Sequence, residues 1–135
     1  MNNARRSLKV VLFSALFAVA ASGCKAKLEG SLMVNGTPFQ PTSCRSGQVY
    51  GFVGVELTNA EGASLRFVQT PMNVPQVIYM ASEGAPATVV GVCGGMSVRQ
   101  TNTRINNVYN VEGVVSPQCA GTMTVAGSLR FANCH

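Results

Sequence analysis

From residue 27 to the end of this 135-residue chain, short apolar and β-branched runs alternate with glycine, proline and asparagine, and no segment sustains a helical period. Such runs between turn residues are typical of strands, because Val, Thr, Phe and Tyr suit a pleated sheet. The clearest alternation covers residues 49–57, in which successive side chains fall on opposite faces. The sequence therefore predicts an all-β domain.

Two hairpins are predicted from their turns. Asn35-Gly36 separates strands at 28–34 and 37–40, and both residues tolerate the positive φ angles of a type I′ turn. Residues 58–62 form a second turn, between the strand at 49–57 and a return strand at 63–69. Further strands are predicted at 77–80, 87–93, 96–101, 108–115, 122–125 and 128–132.

This spacing of strands predicts a small antiparallel β-sandwich, with a small β-barrel as the alternative. Apolar residues on the inward face of the predicted strands should form a single core, which we expect to contain Val53, Val55, Leu57, Leu65, Phe67, Val77, Tyr79, Val90, Val92, Val111, Val125, Leu129 and Phe131.

The N-terminal segment has the pattern of an export signal. Three basic residues within positions 1–9 precede an apolar run at 10–21. Twelve helical residues span only about 18 Å at about 1.5 Å each, which is too short for a hydrocarbon core of about 30 Å. The segment is therefore predicted to be a signal peptide and not a membrane span.

The end of this segment, Ala21-Ser22-Gly23-Cys24, resembles the lipobox of bacterial lipoproteins, although Leu is commoner at the position of Ala21. The resemblance implies diacylglycerol on Cys24, cleavage after Gly23 and usually a further acyl chain. It divides the chain into a signal peptide at 1–23 and a lipid-anchored domain at 24–135. The alternative is ordinary cleavage after Ala20, which would yield a soluble periplasmic or secreted protein.

The residue after the lipidated cysteine helps to sort lipoproteins, and an Asp there commonly retains them in the inner membrane. Lys25 occupies this position, so the resemblance implies a cell-envelope protein delivered to the outer membrane. Only Lys25 and Ala26 separate the anchor from the first predicted strand, so no long flexible tether is expected. The compact β domain and the penultimate cysteine are also similar to small bacterial lipoproteins of uncharacterised families and, more faintly, to mycobacterial lipoprotein antigens, which supply no catalytic residues.

Five cysteines leave an even set of four once Cys24 carries lipid. Disulfides persist outside the cytoplasm, so two structural bridges are predicted among Cys44, Cys93, Cys119 and Cys134. Of the three pairings possible in principle, we favour Cys44 with Cys134, which ties the last strand to the start of the domain, and Cys93 with Cys119 by exclusion. The spacing lacks a Cys-x-x-Cys redox pair.

Charge and composition exclude several functions. Three of the ten basic residues lie in the signal segment. The other seven are scattered singly along the chain: Lys25, Lys27, Arg45, Arg66, Arg99, Arg104 and Arg130. Nucleic-acid binding needs clustered cations, so it is not predicted.

No Asp is present, and the single His is the final residue, so no catalytic site, metal site or cofactor is predicted. The glutamates are dispersed, and Glu56, Glu61 and Glu83 are expected to be exposed at strand ends or turns. The glycine-rich stretch 91–95 is predicted to be a turn, because neither a helix pattern nor a Lys-Ser pair follows it.

Two features are candidates for function. Five methionines follow Cys24 and could line an apolar pocket or fill the core: Met33, Met72, Met80, Met96 and Met123. The polar segment 99–107 is either a recognition loop or a charge-bearing edge strand. We therefore predict a non-enzymatic envelope lipoprotein with a structural or protein-interaction role, whose partners are the membrane and other envelope proteins. The alternative is a binding module for a small apolar or lipid-like ligand in a methionine-lined cavity of about 300 Å³ or more.

Overall fold

The computed structural model describes residues 25–135, which form strands joined by turns and one short 3-10 helix. The predicted signal peptide at 1–23 and the predicted lipidation site, Cys24, lie outside the described residues. The strands are β1 (Lys27–Val34), β2 (Thr37–Phe39), β3 (Pro41–Ser46), β4 (Gly54–Asn59), β5 (Ser64–Val68), β6 (Gln76–Met80), β7 (Thr88–Val92), β8 (Gly95–Ile105), β9 (Val108–Ser116), β10 (Gln118–Cys119) and β11 (Val125–Cys134), and the 3-10 helix Gly47–Tyr50 follows β3.

Two antiparallel sheets pack face to face, which confirms the predicted β-sandwich. The six-stranded sheet has the order β2-β1-β11-β9-β8, with β10 paired to β11, and the five-stranded sheet has the order β3-β4-β5-β6-β7. The strands of residues 25–135 thus form two separate open sheets and not one closed sheet. No helix in this part of the chain is long and apolar enough to cross a membrane.

Both predicted hairpins are present. Asn35 and Gly36 have φ angles of 51° and 76°, as a type I′ turn requires, and Val34 pairs with Thr37 across it. The second hairpin pairs β4 with β5 in a register that places Leu57 opposite Leu65. The chain passes from the five-stranded to the six-stranded sheet at Gly94, where a Cβ atom would collide with the backbone of residues 116–118.

The core lies between the sheets and confirms most of the predicted apolar positions. Fully buried members include Val55, Leu57, Leu65, Phe67, Val77, Val111, Val125, Leu129 and Phe131, and Tyr79 and Val90 are partly buried against them. Leu32, Phe39 and Val115, which the sequence analysis did not select, are buried as well.

Two predicted core residues are exposed. Val53 precedes β4, because residues 47–50 form the 3-10 helix and Gly51 ends it with a left-handed φ of 81°; the predicted strand 49–57 therefore begins only at Gly54. Val92 is exposed because the register of β6 and β7 shifts between Val77 and Ile78. The shift breaks the simple alternation that would have placed Val92 on the same face as Val90.

In place of the two strands predicted at 122–125 and 128–132, the structure has one strand, β11, which begins only at Val125. The gap predicted at residues 126–127 is absent, because β1 pairs without interruption from Lys27 opposite Ala132 to Val34 opposite Val125. Continuous pairing with a distant strand thus outweighs the weak strand preference of Gly127.

Candidate functional site

The four cysteines of the described domain lie in two pairs at disulfide distance. Cys44 of β3 is paired with Cys134 of β11 (Cα–Cα 5.1 Å), and Cys93 is paired with Cys119 of β10 (Cα–Cα 5.2 Å). This is the pairing that the sequence analysis favours. The bridge Cys44–Cys134 is buried and joins the two sheets through the core.

The first described residues are held against the last strand. The side-chain amide of Asn133 donates a hydrogen bond to the backbone carbonyl of Lys25 at 3.3 Å, and Lys27 pairs with Ala132. Strand β1 lies inside its sheet, between β2 and β11. The described part of the chain therefore begins on an interior strand, beside the end of β11.

A largely covered ion pair lies on the outer face of the five-stranded sheet. The register of β4 and β5 places Glu56 opposite Arg66. The Arg66 guanidinium donates two hydrogen bonds to Glu56 Oε2, from Nε at 3.0 Å and from Nη2 at 2.8 Å. Glu56 is buried although its side chain points away from the core between the sheets.

The segment after β3 covers this pair. The Tyr50 hydroxyl donates to Glu56 Oε1 at 3.2 Å and accepts from Arg45 Nη1 at 3.3 Å. The guanidinium carbon of Arg66 lies 4.5 Å from the centre of the Tyr50 ring and 5.1 Å from that of Phe52. Stacking of a cation on two aromatic rings stabilises this arrangement. The hydrogen bond to Tyr50 also raises the pKa of Arg45 above its ordinary value, so this residue stays charged.

We call these four side chains, Arg45, Tyr50, Glu56 and Arg66, the polar network. They line a cavity of about 380 Å³, whose other walls come from β3–β6 and the turn after β6 and are mostly hydroxyl or carboxylate groups. Both carboxylate oxygens of Glu56 already accept hydrogen bonds from protein donors. The arrangement therefore holds the side chains of Tyr50 and Arg66 in place around Glu56.

The structure corrects two sequence-based expectations here. Glu56 was expected to be exposed and Arg66 to be an isolated surface charge, whereas the two are hydrogen-bonded and largely covered. The predicted hairpin contained a usable signal: once Leu57 faces Leu65, Glu56 must face Arg66. The cover by Tyr50 and Phe52 left no comparable signal, because it comes from a segment predicted to be strand.

The other glutamates named in the sequence analysis are placed as expected. Glu61 and Glu83 are exposed in turns. His135 is not hydrogen-bonded to any glutamate within residues 25–135, and its Nδ1 is buried without a partner. The described residues contain no group of three or more His, Cys or Glu side chains that could hold a metal ion.

A second cavity of about 440 Å³, the end groove, lies beside the segment after β3. Its walls combine residues of that segment with residues of β8 and β9 and include Gln48, Phe52, Val53, Val98 and Val111. The side-chain carbonyl of Gln48 accepts a hydrogen bond from the Tyr109 backbone at 3.2 Å and so fixes the segment to β9.

The polar segment 99–107 belongs to an edge. Strand β8 is the last strand of the six-stranded sheet, which agrees with the edge-strand interpretation. Arg99 forms an ion pair with Glu112, and the guanidinium of Arg104 lies 4.4 Å from the centre of the Tyr109 ring. The cations of this segment are thus engaged with the neighbouring strand β9.

The methionines do not come together. Met96 is buried, Met123 is partly buried against the core, and Met33 and Met72 are exposed. Met80 lines the cavity of the polar network, and no methionine lines the end groove. A methionine-lined ligand cavity, as expected for an apolar-ligand module, is therefore not assembled from these residues.

No protein-family model, curated protein or solved structure matches the chain.

Proposed function

We propose that this protein is a non-enzymatic component of the cell envelope, anchored to a membrane by acyl groups on Cys24 and acting in a structural or protein-interaction role. The observation that carries the proposal is the pairing of the other four cysteines with one another. Cys24 is the fifth cysteine of the sequence and stands at the end of an apolar run, where lipidation would use its thiol.

The start of the domain supports a short anchor. Lys25 and Ala26 alone separate Cys24 from β1, and the Lys25 carbonyl is already hydrogen-bonded to Asn133. Consecutive Cα atoms are about 3.8 Å apart, so the acylated residue would lie within a few ångströms of the folded domain. The two disulfides agree with export to an oxidising compartment. Lys25 after the cysteine favours the outer membrane over the inner membrane by the lipobox resemblance.

The polar network supports the non-enzymatic part of the proposal. Both oxygens of Glu56 accept hydrogen bonds from Arg66 or Tyr50, which favours a structural role for this carboxylate. The separate positions of the methionines likewise favour a structural or interaction role over binding of a small apolar ligand.

The test compares the wild type with Cys24→Ser and with the matched control Ala26→Ser, which adds a hydroxyl close to the anchor but keeps the thiol. Each protein is extracted in a detergent that separates into its own phase on warming, and its intact mass is measured. We expect the wild type and Ala26→Ser to enter the detergent phase with a mass that begins at Cys24 and includes acyl groups. Cys24→Ser should enter the aqueous phase, because its anchor is lost.

Two results would contradict this assignment. One is a wild-type mass that begins at Ala21 without acyl groups, which would indicate ordinary cleavage. The other is Cys24→Ser processed and partitioned as the wild type is.

A further inference from the structure

We propose that residues 47–53, here called the contact loop, dock onto the surface of a bilayer with anionic headgroups, so that the domain meets the membrane at a second place beside its anchor. This inference rests on the proposed anchoring at Cys24. It concerns how the domain is oriented on the lipid, which the anchor alone does not determine.

A short series of contacts places the contact loop at the anchored end of the domain. Lys25 is hydrogen-bonded to Asn133, and the next residue, Cys134, is bonded to Cys44 on β3. The contact loop starts directly after β3, and Gln48 is fixed to the backbone of Tyr109 at the start of β9. Because Cys24 directly precedes Lys25, the anchor and the contact loop share one end of the fold.

The contact loop presents apolar side chains to solvent. Val49 is 46% exposed and Val53 is 60% exposed, and Tyr50 between them is exposed as well. Most other valines of the domain are covered by the core or by neighbouring strands. Apolar and aromatic side chains on a surface next to a lipid anchor are of the kind that enters the boundary between headgroups and acyl chains.

Backbone hydrogen bonds hold the contact loop in shape. The 3-10 helix begins with a hydrogen bond from the Gln48 amide to Ser46 Oγ at 3.2 Å. The Phe52 amide donates to the Gly47 carbonyl at 3.0 Å, and the Gln69 amide donates to the Val53 carbonyl at 2.8 Å. The two valines are therefore presented by ordered backbone, so contact with lipid would cost little further ordering.

Charge at this end favours an anionic surface. Lys25 and Lys27 are exposed next to the anchor, and Arg104 is exposed near the tip of the β8–β9 hairpin. The nearest carboxylate along β1 is Glu29, which lies opposite Arg130 in the strand register. Basic side chains close to a lipid surface are attracted by anionic headgroups. Contact of the loop with the bilayer would add to the attachment that the acyl groups on Cys24 provide.

The experiment uses the absence of tryptophan from the sequence, because one introduced tryptophan is then the sole indole in the protein. Full-length lipidated Val53→Trp is reconstituted in vesicles of phosphatidylcholine and phosphatidylglycerol whose acyl chains carry bromine, which quenches indole on contact. The matched control is Val89→Trp, since Val89 is also 60% exposed but lies on β7, at the far edge of the five-stranded sheet from β3.

We expect the emission of Val53→Trp to shift to shorter wavelength and to be strongly quenched by the brominated lipid, and the emission of Val89→Trp to stay as in solution. Val49→Trp, at the other apolar position of the contact loop, should behave as Val53→Trp does and guards against a local disturbance by either substitution. Absence of quenching at both loop positions, or equal quenching at Val89→Trp, would overturn the inference.

Phase partition of the same samples separates the two proposals. If the protein enters the detergent phase but its loop tryptophan is not quenched, the proposed anchor at Cys24 stands and the proposed docking of the contact loop is wrong. Protein that stays in the aqueous phase overturns both proposals.

Discussion

Each sheet carries a salt bridge between a Glu and an Arg of neighbouring strands on its outer face, and the two salt bridges have different surroundings. Glu56 and Arg66 of the five-stranded sheet have side chains that are 9% and 24% exposed. Glu112 and Arg99 of the six-stranded sheet have side chains that are 34% and 76% exposed. In both pairs the two residues are directly opposite each other in antiparallel register.

The difference comes from a third segment of the chain. Tyr50 and Phe52 lie over Arg66, and the Tyr50 hydroxyl reaches Glu56, whereas Arg99 projects into solvent. Solvent and salt screen an exposed pair, so its contribution to stability is small. Within a covered pair, removing one partner leaves an uncompensated charge in a poorly hydrated site. Cover by a third segment, more than the pairing itself, therefore determines how far such a pair affects stability.

The largest effect is expected from Arg66→Ala. It removes both guanidinium hydrogen bonds from Glu56 and uncovers the faces of Tyr50 and Phe52. We expect the free energy of unfolding to fall by about 2–4 kcal/mol, somewhat less than for a fully buried pair because Arg66 is partly exposed. Urea denaturation of the disulfide-bonded wild type and variant measures this difference in the free energy of unfolding.

The control for this effect is the double variant Glu56→Gln/Arg66→Met, which removes both charges and keeps the approximate side-chain volumes. It should recover at least part of the stability that Arg66→Ala loses, because no buried charge is left without a partner. A loss below about 1 kcal/mol for Arg66→Ala would show that the network contributes no more than a surface pair.

A smaller effect is expected from Tyr50→Phe, which keeps the ring stacked on Arg66 and removes the hydroxyl that links Arg45 to Glu56. We expect a loss of about 1 kcal/mol, the typical net contribution of one hydrogen bond. Thermal unfolding of this variant is compared with that of Tyr109→Phe. The Tyr109 ring also stacks with an arginine, and its hydroxyl has no hydrogen bond within residues 25–135. The stability lost in Tyr109→Phe should therefore be near zero. Equal losses in the two variants would argue against a role for the Tyr50 hydroxyl.

The smallest effect is expected from Arg99→Ala. The ion pair with Glu112 is open to solvent, so its removal should cost about 0.5 kcal/mol or less. Added salt should reduce even this difference, because ions screen exposed charges. Unfolding measured at low and at high ionic strength tests both statements. A loss as large as that of Arg66→Ala would refute the contrast between the two faces.

Local sequence signals predicted much of this fold. Asn35-Gly36 specified its hairpin because both residues tolerate positive φ. The second hairpin was also predicted, although Thr58 and Asn59 of its predicted turn belong to β4. The buried partners Leu57 and Leu65 followed from alternation along β4 and β5. The favoured cysteine pairing followed from the expected return of the last strand to the start of the domain.

Errors arose where distant segments overrode a local pattern. Residues 49–53 alternate as a strand would, yet they form a 3-10 helix and a loop fixed to β9 through Gln48. A gap between strands was predicted at residues 126–127, yet β11 pairs with β1 continuously through these residues. The polar network was missed for the same reason, since the residues that cover Glu56 and Arg66 belong to that misassigned loop.

The amino-acid sequence by itself determined the strand-and-turn character, the two short hairpins and an even set of four cysteines behind Cys24, because each depends on residues close together in the chain or on residue counts. Only the tertiary structure decided which charges are covered, which valines face solvent and where β11 runs. Those outcomes depend on packing between segments many residues apart, and neither the strand period nor a turn motif records which distant segment will cover a given face.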